Sequence, residues 1–142
     1  MANAKYDQVT ALVASGSFNW SADQVYALLC KDAVFTSSDT RLSDVVTAGG
    51  AQIASSFIRS RYVGTGGEAM GLPANFPKVA KDIDYQALVV CDLGDSNPQL
   101  IAFYDTDDSD APLSIANNGT LILRPTTIVG AEPPTIGMWL QL

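Results

Sequence analysis

Strand-length apolar runs cut apart by turn clusters are the feature that most limits what this chain can become. Residues 24–30 (Gln-Val-Tyr-Ala-Leu-Leu-Cys), 85–91 (Tyr-Gln-Ala-Leu-Val-Val-Cys) and 100–104 (Leu-Ile-Ala-Phe-Tyr) are of this kind. So are 120–124 and 135–142. Each is too short for a typical helix and is bounded by Gly, Pro, Asn, Asp or Ser, which signals strands joined by turns. The acids agree. Of 15 acidic residues 13 are Asp and two, Glu68 and Glu132, are Glu. Asp suits turns and caps, whereas Glu suits helix surfaces. The expected fold is mainly β, an antiparallel β-sandwich with one short N-terminal helix. At 142 residues the chain is expected to be a single domain, with the helix at about 4–15 and the sandwich at about 17–142.

The helix rests on Tyr6, Val9, Leu12 and Val13 at helical spacing, with Gly16 as its stop. Residues 42–47 suggest a further helical turn, and 51–63, with Ile53, Phe57, Ile58, Tyr62 and Val63, a strand with irregular ends. Residues 85–91 and 100–104 should pair as an antiparallel hairpin. Asn117-Asn118-Gly119 should close another, between 113–116 and 120–124, because Asn-Gly suits a type I′ turn. The final strand, with Trp139 and Leu140, should be buried in a sheet or lent to a neighbouring subunit. Phe18 and Trp20 read as core anchors. Cys30 and Cys91, each inside an apolar run, read as buried reduced thiols in preference to a disulfide.

Composition excludes several chemistries. There is no histidine, so neither a Ser-His-Asp nor a Cys-His centre can form, nor any His-ligated metal site. A net charge of −7 opposes a phosphate-tracking nucleic-acid binder. No apolar run approaches the length of a bilayer span, and the N-terminus lacks the apolar stretch of a signal peptide. The chain is therefore expected in the cytosol, or outside it only through lysis or inside an assembly, without membrane or nucleic-acid partners. Residues 105–110 gather four carboxylates, which suits a solvated loop better than a calcium site. Asp107, Asp108 and Asp110 should be dispensable. No catalytic residue, metal site or cofactor is expected, and the chain is not expected to be an enzyme.

One constellation points to an interface. Residues 64–81 show no strand or helix period, yet they hold Met70, Leu72 and Phe76. Exposed apolar groups in a loop call for a partner, the alternative being that Leu72 and Phe76 plug one open end of the sandwich. Arg59, Arg61, Lys78 and Lys81, half of the basic residues, flank the segment and would form its polar rim.

The order of features also resembles a family. A short helix leads to Gly16-Ser17-Phe18-Asn19-Trp20, then a strand, then the loop Asp39-Thr40-Arg41-Leu42-Ser43-Asp44-Val45. Later come Leu100-Ile101-Ala102-Phe103-Tyr104-Asp105 with Pro112-Leu113 behind, and an Asn-Gly turn before the terminal strand. This pattern is similar to small virion proteins of tailed bacteriophages, among them capsid cement (decoration) proteins with a jelly-roll-like fold. Residues 64–77 depart from it. The resemblance implies a virion protein, assembled in the host cytoplasm, that bridges and stabilises copies of the major capsid protein, acts as a small homo-oligomer and has no catalytic residues. The alternative is a receptor- or carbohydrate-binding module of a phage tail or head fibre, with Trp20, Tyr62 or Tyr104 exposed to stack on sugar.

Overall fold

A computed structural model describes residues 4–92, 96–106, 111–124, 126–127 and 136–142. The elements in chain order are β1 (Ala4–Lys5), α1 (Gln8–Ala14), β2 (Val25–Lys31), α2 (Leu42–Thr47), β3 (Ala51–Phe57) and β4 (Tyr62–Val63). They continue with β5 (Glu68–Gly71), β6 (Ala74–Val79), β7 (Tyr85–Cys91), β8 (Gln99–Tyr104), β9 (Gly119–Leu123), β10 (Thr126–Thr127) and β11 (Gly137–Gln141). Among the described residues the fold is mainly β, with antiparallel sheets and two short helices, in keeping with a sandwich. One layer is a five-stranded sheet ordered β1-β8-β7-β2-β3. A four-stranded sheet, β10-β11-β5-β4, and a two-stranded one, β6-β9, make up the rest.

The three central strands of the large sheet are the runs that stood out in the sequence. β2, β7 and β8 are almost wholly buried, because the sheet is covered on both faces and so needs apolar side chains at consecutive positions. On one face Tyr6 packs on Phe35 at 5.0 Å between ring centroids, and Phe35 on Phe103 at 5.5 Å. On the other, Tyr104 meets Trp139 of β11 edge-on at 5.7 Å, joining the large sheet to the four-stranded one. β7 and β8 pair antiparallel, as expected. Trp139 is buried within a sheet, as is the strand that carries it.

Two expectations need correction. The first helical turn does not begin at residue 4. Ala4 and Lys5 pair with Phe103 and Ala102, and the Tyr6 N–H donates to the Ile101 carbonyl, so a sheet edge takes this stretch. The helix stop is where the sequence put it. Gly16 adopts φ 74°, and the Gly16 and Ser17 N–H groups close on the Val13 and Leu12 carbonyls. The second correction concerns Asn117-Asn118-Gly119. β9 pairs with β6 rather than with 113–116, and the Leu113 carbonyl accepts from the Tyr85 N–H instead. The Asn118 side chain accepts from the Lys81 N–H, so these residues close a longer connection.

Residues 42–47 are helical, and Asp44 secures their start. Its Oδ2 accepts from the Thr40 N–H at 2.9 Å and the Arg41 N–H at 3.1 Å. Those bonds, Thr40 first, hold the carboxyl below its ordinary value. A carboxylate lowered in the folded state stabilises fully above its unfolded pKa, and that contribution disappears as pH falls through the folded one. Asp44→Asn should therefore lower the thermal midpoint at neutral pH, and the gap to wild type should close on acidification. Midpoints measured from neutral to strongly acid pH check this.

Cys30 and Cys91 are buried and free. Burial pushes both thiols up to about 12, with Asp92 and Asp23 adding to the effect at Cys91. Neither will supply thiolate at ordinary pH. A thiol reagent at pH 8 should label neither cysteine in the folded protein and both in denaturant.

Candidate functional site: an exposed apolar corner

β3 is an edge strand, paired on one side with β2 and set apart from the buried centre of its sheet. Its sequence, Ala-Gln-Ile-Ala-Ser-Ser-Phe, lacks the continuous apolar run of the inner strands. Leu29 lies opposite Ala54 but Cys30 lies opposite Gln52, so Ile53 is the extra residue of a β-bulge. Beyond the bulge Ala54 and Ser56 turn partly inward, while Ser55 and Phe57 face out. After Phe57 the chain crosses between sheets. Ile58 plunges into the core, Ser60 takes φ 55° at the corner, and Tyr62–Val63 forms β4, the edge of the other sheet.

The large apolar side chains left outside along this route are Ile53 (48% exposed), Phe57 (41%), Tyr62 (44%) and Val63 (45%). They lie on strands at two sheet edges joined by one corner. The Phe57 ring is held in place from two sides. Tyr26 meets it edge-on at 5.3 Å, and the Arg61 guanidinium lies 4.8 Å from its centroid. Arg61 itself donates to the carbonyls of Trp20 at 2.8 Å, Ile58 at 2.6 Å and Asp23. Desolvation lowers its pKa, and Cys91 and Asp23 oppose that shift.

The sequence-derived interface changes accordingly. Residues 64–81 are not an unpaired loop: β5 lies between β11 and β4, and β6 pairs with β9. Phe76 is 0% exposed and Met70 4%, so both belong to the core rather than to an apolar surface centre. The Met70 carbonyl also accepts from the buried Trp20 indole. Leu72 is half-buried; its N–H donates to the Arg59 carbonyl and its own carbonyl accepts from Trp139. Arg61 is no rim charge, because its guanidinium is spent on backbone carbonyls. Arg59, Lys78 and Lys81 are exposed. The structure brings Arg59 beside Leu72 and places the two lysines toward the far end of β6.

The aromatic platform of the carbohydrate reading loses two of its three members. Trp20 is an anchor buried in the core, as expected of it and Phe18, and Tyr104 is buried with its hydroxyl donating to the Trp139 carbonyl. Tyr62 alone is exposed. Among the described residues no three Cys, Asp or Glu side chains gather where they could hold a metal. Asp107, Asp108 and Asp110 lie outside the described residues. No helix among the described residues is long and apolar enough to cross a membrane. Comparison with protein families, with curated proteins and with solved structures finds no match.

Proposed function

We propose that this protein works by binding rather than by chemistry, as a virion accessory protein that cements a phage capsid by bridging major capsid protein subunits. The observation that carries the binding half of this reading is the apolar corner. Four of the eight large apolar side chains left exposed among the described residues, Ile53, Phe57, Tyr62 and Val63, lie along this one route, and patches of this kind mark contacts. The virion half is carried by the resemblance of the chain's feature order to phage cement proteins. Of the segments that carry it, Leu42-Ser43-Asp44-Val45 lies in α2, and Leu100 to Asp105 runs through the buried β8 to the residue just after it. Both serve the scaffold, which leaves partner recognition to the surface. A small homo-oligomer, resident in the particle, fits that work.

Quantitative mass analysis of purified particles tests the proposal. A cement protein should be present in hundreds of copies per particle. A count in the tens would favour a fibre module, and absence from the particle would overturn the virion reading.

A further inference from the structure

We propose that the free edge of β9 takes up an extended acidic segment of a partner protein as an added strand, a contact that stands independently of the cement reading above. β9 pairs with β6 alone among the described strands. The far side of β6 is closed by β3. The Asn75 N–H donates to Ser56 Oγ at 3.3 Å, and just before β6 the Leu72 N–H donates to the Arg59 carbonyl. That settles which way β9 faces. Opposite residues of an antiparallel pair either exchange their backbone hydrogen bonds or both turn away from each other. Asn75 points at β3 and Ile122 lies opposite it, so the Ile122 N–H and C=O point to the free side of β9. Thr120, two residues earlier, shares that side. Neither makes a backbone hydrogen bond outside the β6 pairing among the described residues.

An edge of this kind is a template for a further strand, and proteins that must keep it empty place charges, proline or a bulge along it. Gly119–Leu123 holds no charge and no proline, and the one register shift of the pair falls between Phe76 and Val79 on β6. Leu121 and Leu123 are buried, whereas Ile122 is 38% exposed and Thr120 is exposed. An added strand gains main-chain hydrogen bonds from the template and specificity from side chains that alternate along it. Here the backbone bonds form at Thr120 and Ile122, and Ile122 offers an apolar contact to the residue across from it.

Charge selects the occupant. The chain carries −7 overall, yet residues 74–81 and 113–124 hold Lys78, Lys81 and Arg124 and no acid, a local +3. All three cations are exposed, and they flank the edge at both ends. Val79 lies opposite Gly119 and the Lys81 N–H donates to the Asn118 side chain, so the lysines belong to the start of β9. Arg124 follows its last residue. The acids next along the chain, Asp82 and Asp84, come beyond Lys81. An extended segment with an apolar centre and acids at each end meets Ile122 in the middle and a cation at either end. A second copy, added antiparallel, would set Arg124 against the lysines of its twin, and like charges along an edge oppose such pairing.

The test uses the full chain and two short synthetic peptides, valine-rich at the centre, one with glutamates at both ends and one with lysines there. The glutamate peptide should bind wild type, more weakly at high salt, and roughly tenfold or more tightly than the lysine peptide. The amides of Thr120 and Ile122 should gain hydrogen-exchange protection in the complex. Ile122→Pro removes an N–H that faces away from β6, so the fold survives while the edge loses a donor, and binding should fall roughly tenfold or more. Circular dichroism checks its folding. Arg124→Glu, exposed and outside the strand, should weaken the glutamate peptide and repeats the test should the proline variant not fold. A glutamate peptide that does not bind, that leaves Thr120 and Ile122 unprotected, or that binds the folded variants as well as wild type overturns the proposal. Equal binding of both peptides overturns the acidic occupant. A dimer of the chain alone that Ile122→Pro abolishes would assign the edge to a second copy and overturn it too. None of these outcomes bears on the cement reading, which the particle count tests separately.

Discussion

Replacing Trp139 with alanine should cost roughly 3 to 5 kcal/mol, the range for emptying a large aromatic site in a core. The side chain is 3% exposed and stands where the two main sheets meet. Tyr104 packs edge-on against it from β8, and its indole N–H donates to the Leu72 carbonyl at 3.2 Å. Gly71 is part of the same fit: a Cβ there would come within 2.8 Å of Ile58 Cγ2 and 3.2 Å of the Trp139 indole nitrogen. Truncation to alanine thus opens a cavity bordered by Ile58, Gly71 and Tyr104 and leaves the Leu72 carbonyl without its donor. For a domain of this size, with a few to about 15 kcal/mol of total stability, that is a large fraction. Urea unfolding of the variant measures it, and a change under about 1 kcal/mol would place Trp139 outside the core. Ending the chain after Pro134 removes β11 altogether, along with the partner of both β5 and β10. The shortened protein should fail to fold.

How much of this could be read beforehand follows from what burial does to sequence. β2, β7 and β8 are covered on both faces, so nearly every position is apolar and the runs stand out. β6 is harder to see. Its sequence, Ala-Asn-Phe-Pro-Lys-Val, puts Ala74, Phe76 and Val79 inside and Asn75, Pro77 and Lys78 outside, with a register shift between Phe76 and Val79 that breaks the period. Pro77 lacks the N–H of a ladder and argues against a central strand, but β6 belongs to a two-stranded sheet where that constraint is relaxed. Reading 64–81 as a loop made Met70 and Phe76 look exposed, and the apolar centre of the interface was misplaced by that single step. Half of the exposed large apolar groups among the described residues lie in 51–63, where Ile53, Phe57, Tyr62 and Val63 look like ordinary core residues. The usable signal was polar: Gln52, Ser55 and Ser56 interrupt the stretch, as they do in a strand at the edge of a sheet. Arg59 and Arg61 show the limit most plainly. They are the same residue type two positions apart, and the turn at Ser60 sends one into solvent and the other under Phe57.

Arg61→Ala should therefore destabilise the protein by about 2–4 kcal/mol, far beyond the effect of an ordinary surface charge, since hydrogen bonds to charged groups contribute about 1.5–3 kcal/mol each and are not additive. Its guanidinium gathers the carbonyls of Trp20, Asp23 and Ile58, tying the turn before β2 to the corner after β3. Removing it leaves three carbonyls to find water and takes away the cation beneath the Phe57 ring. Arg61→Lys is the sharper test. Lysine keeps the charge but has no planar fork, so it cannot reach three carbonyls in the same directions. It should recover less than half of the loss. Arg59→Ala, by contrast, should change stability by no more than about 0.5 kcal/mol, as expected of an exposed side chain. Unfolding curves for the three variants separate the roles. A lysine variant as stable as wild type would show that charge alone holds the corner. An alanine variant that unfolds no earlier than Arg59→Ala would remove Arg61 from the scaffold and return it to the rim.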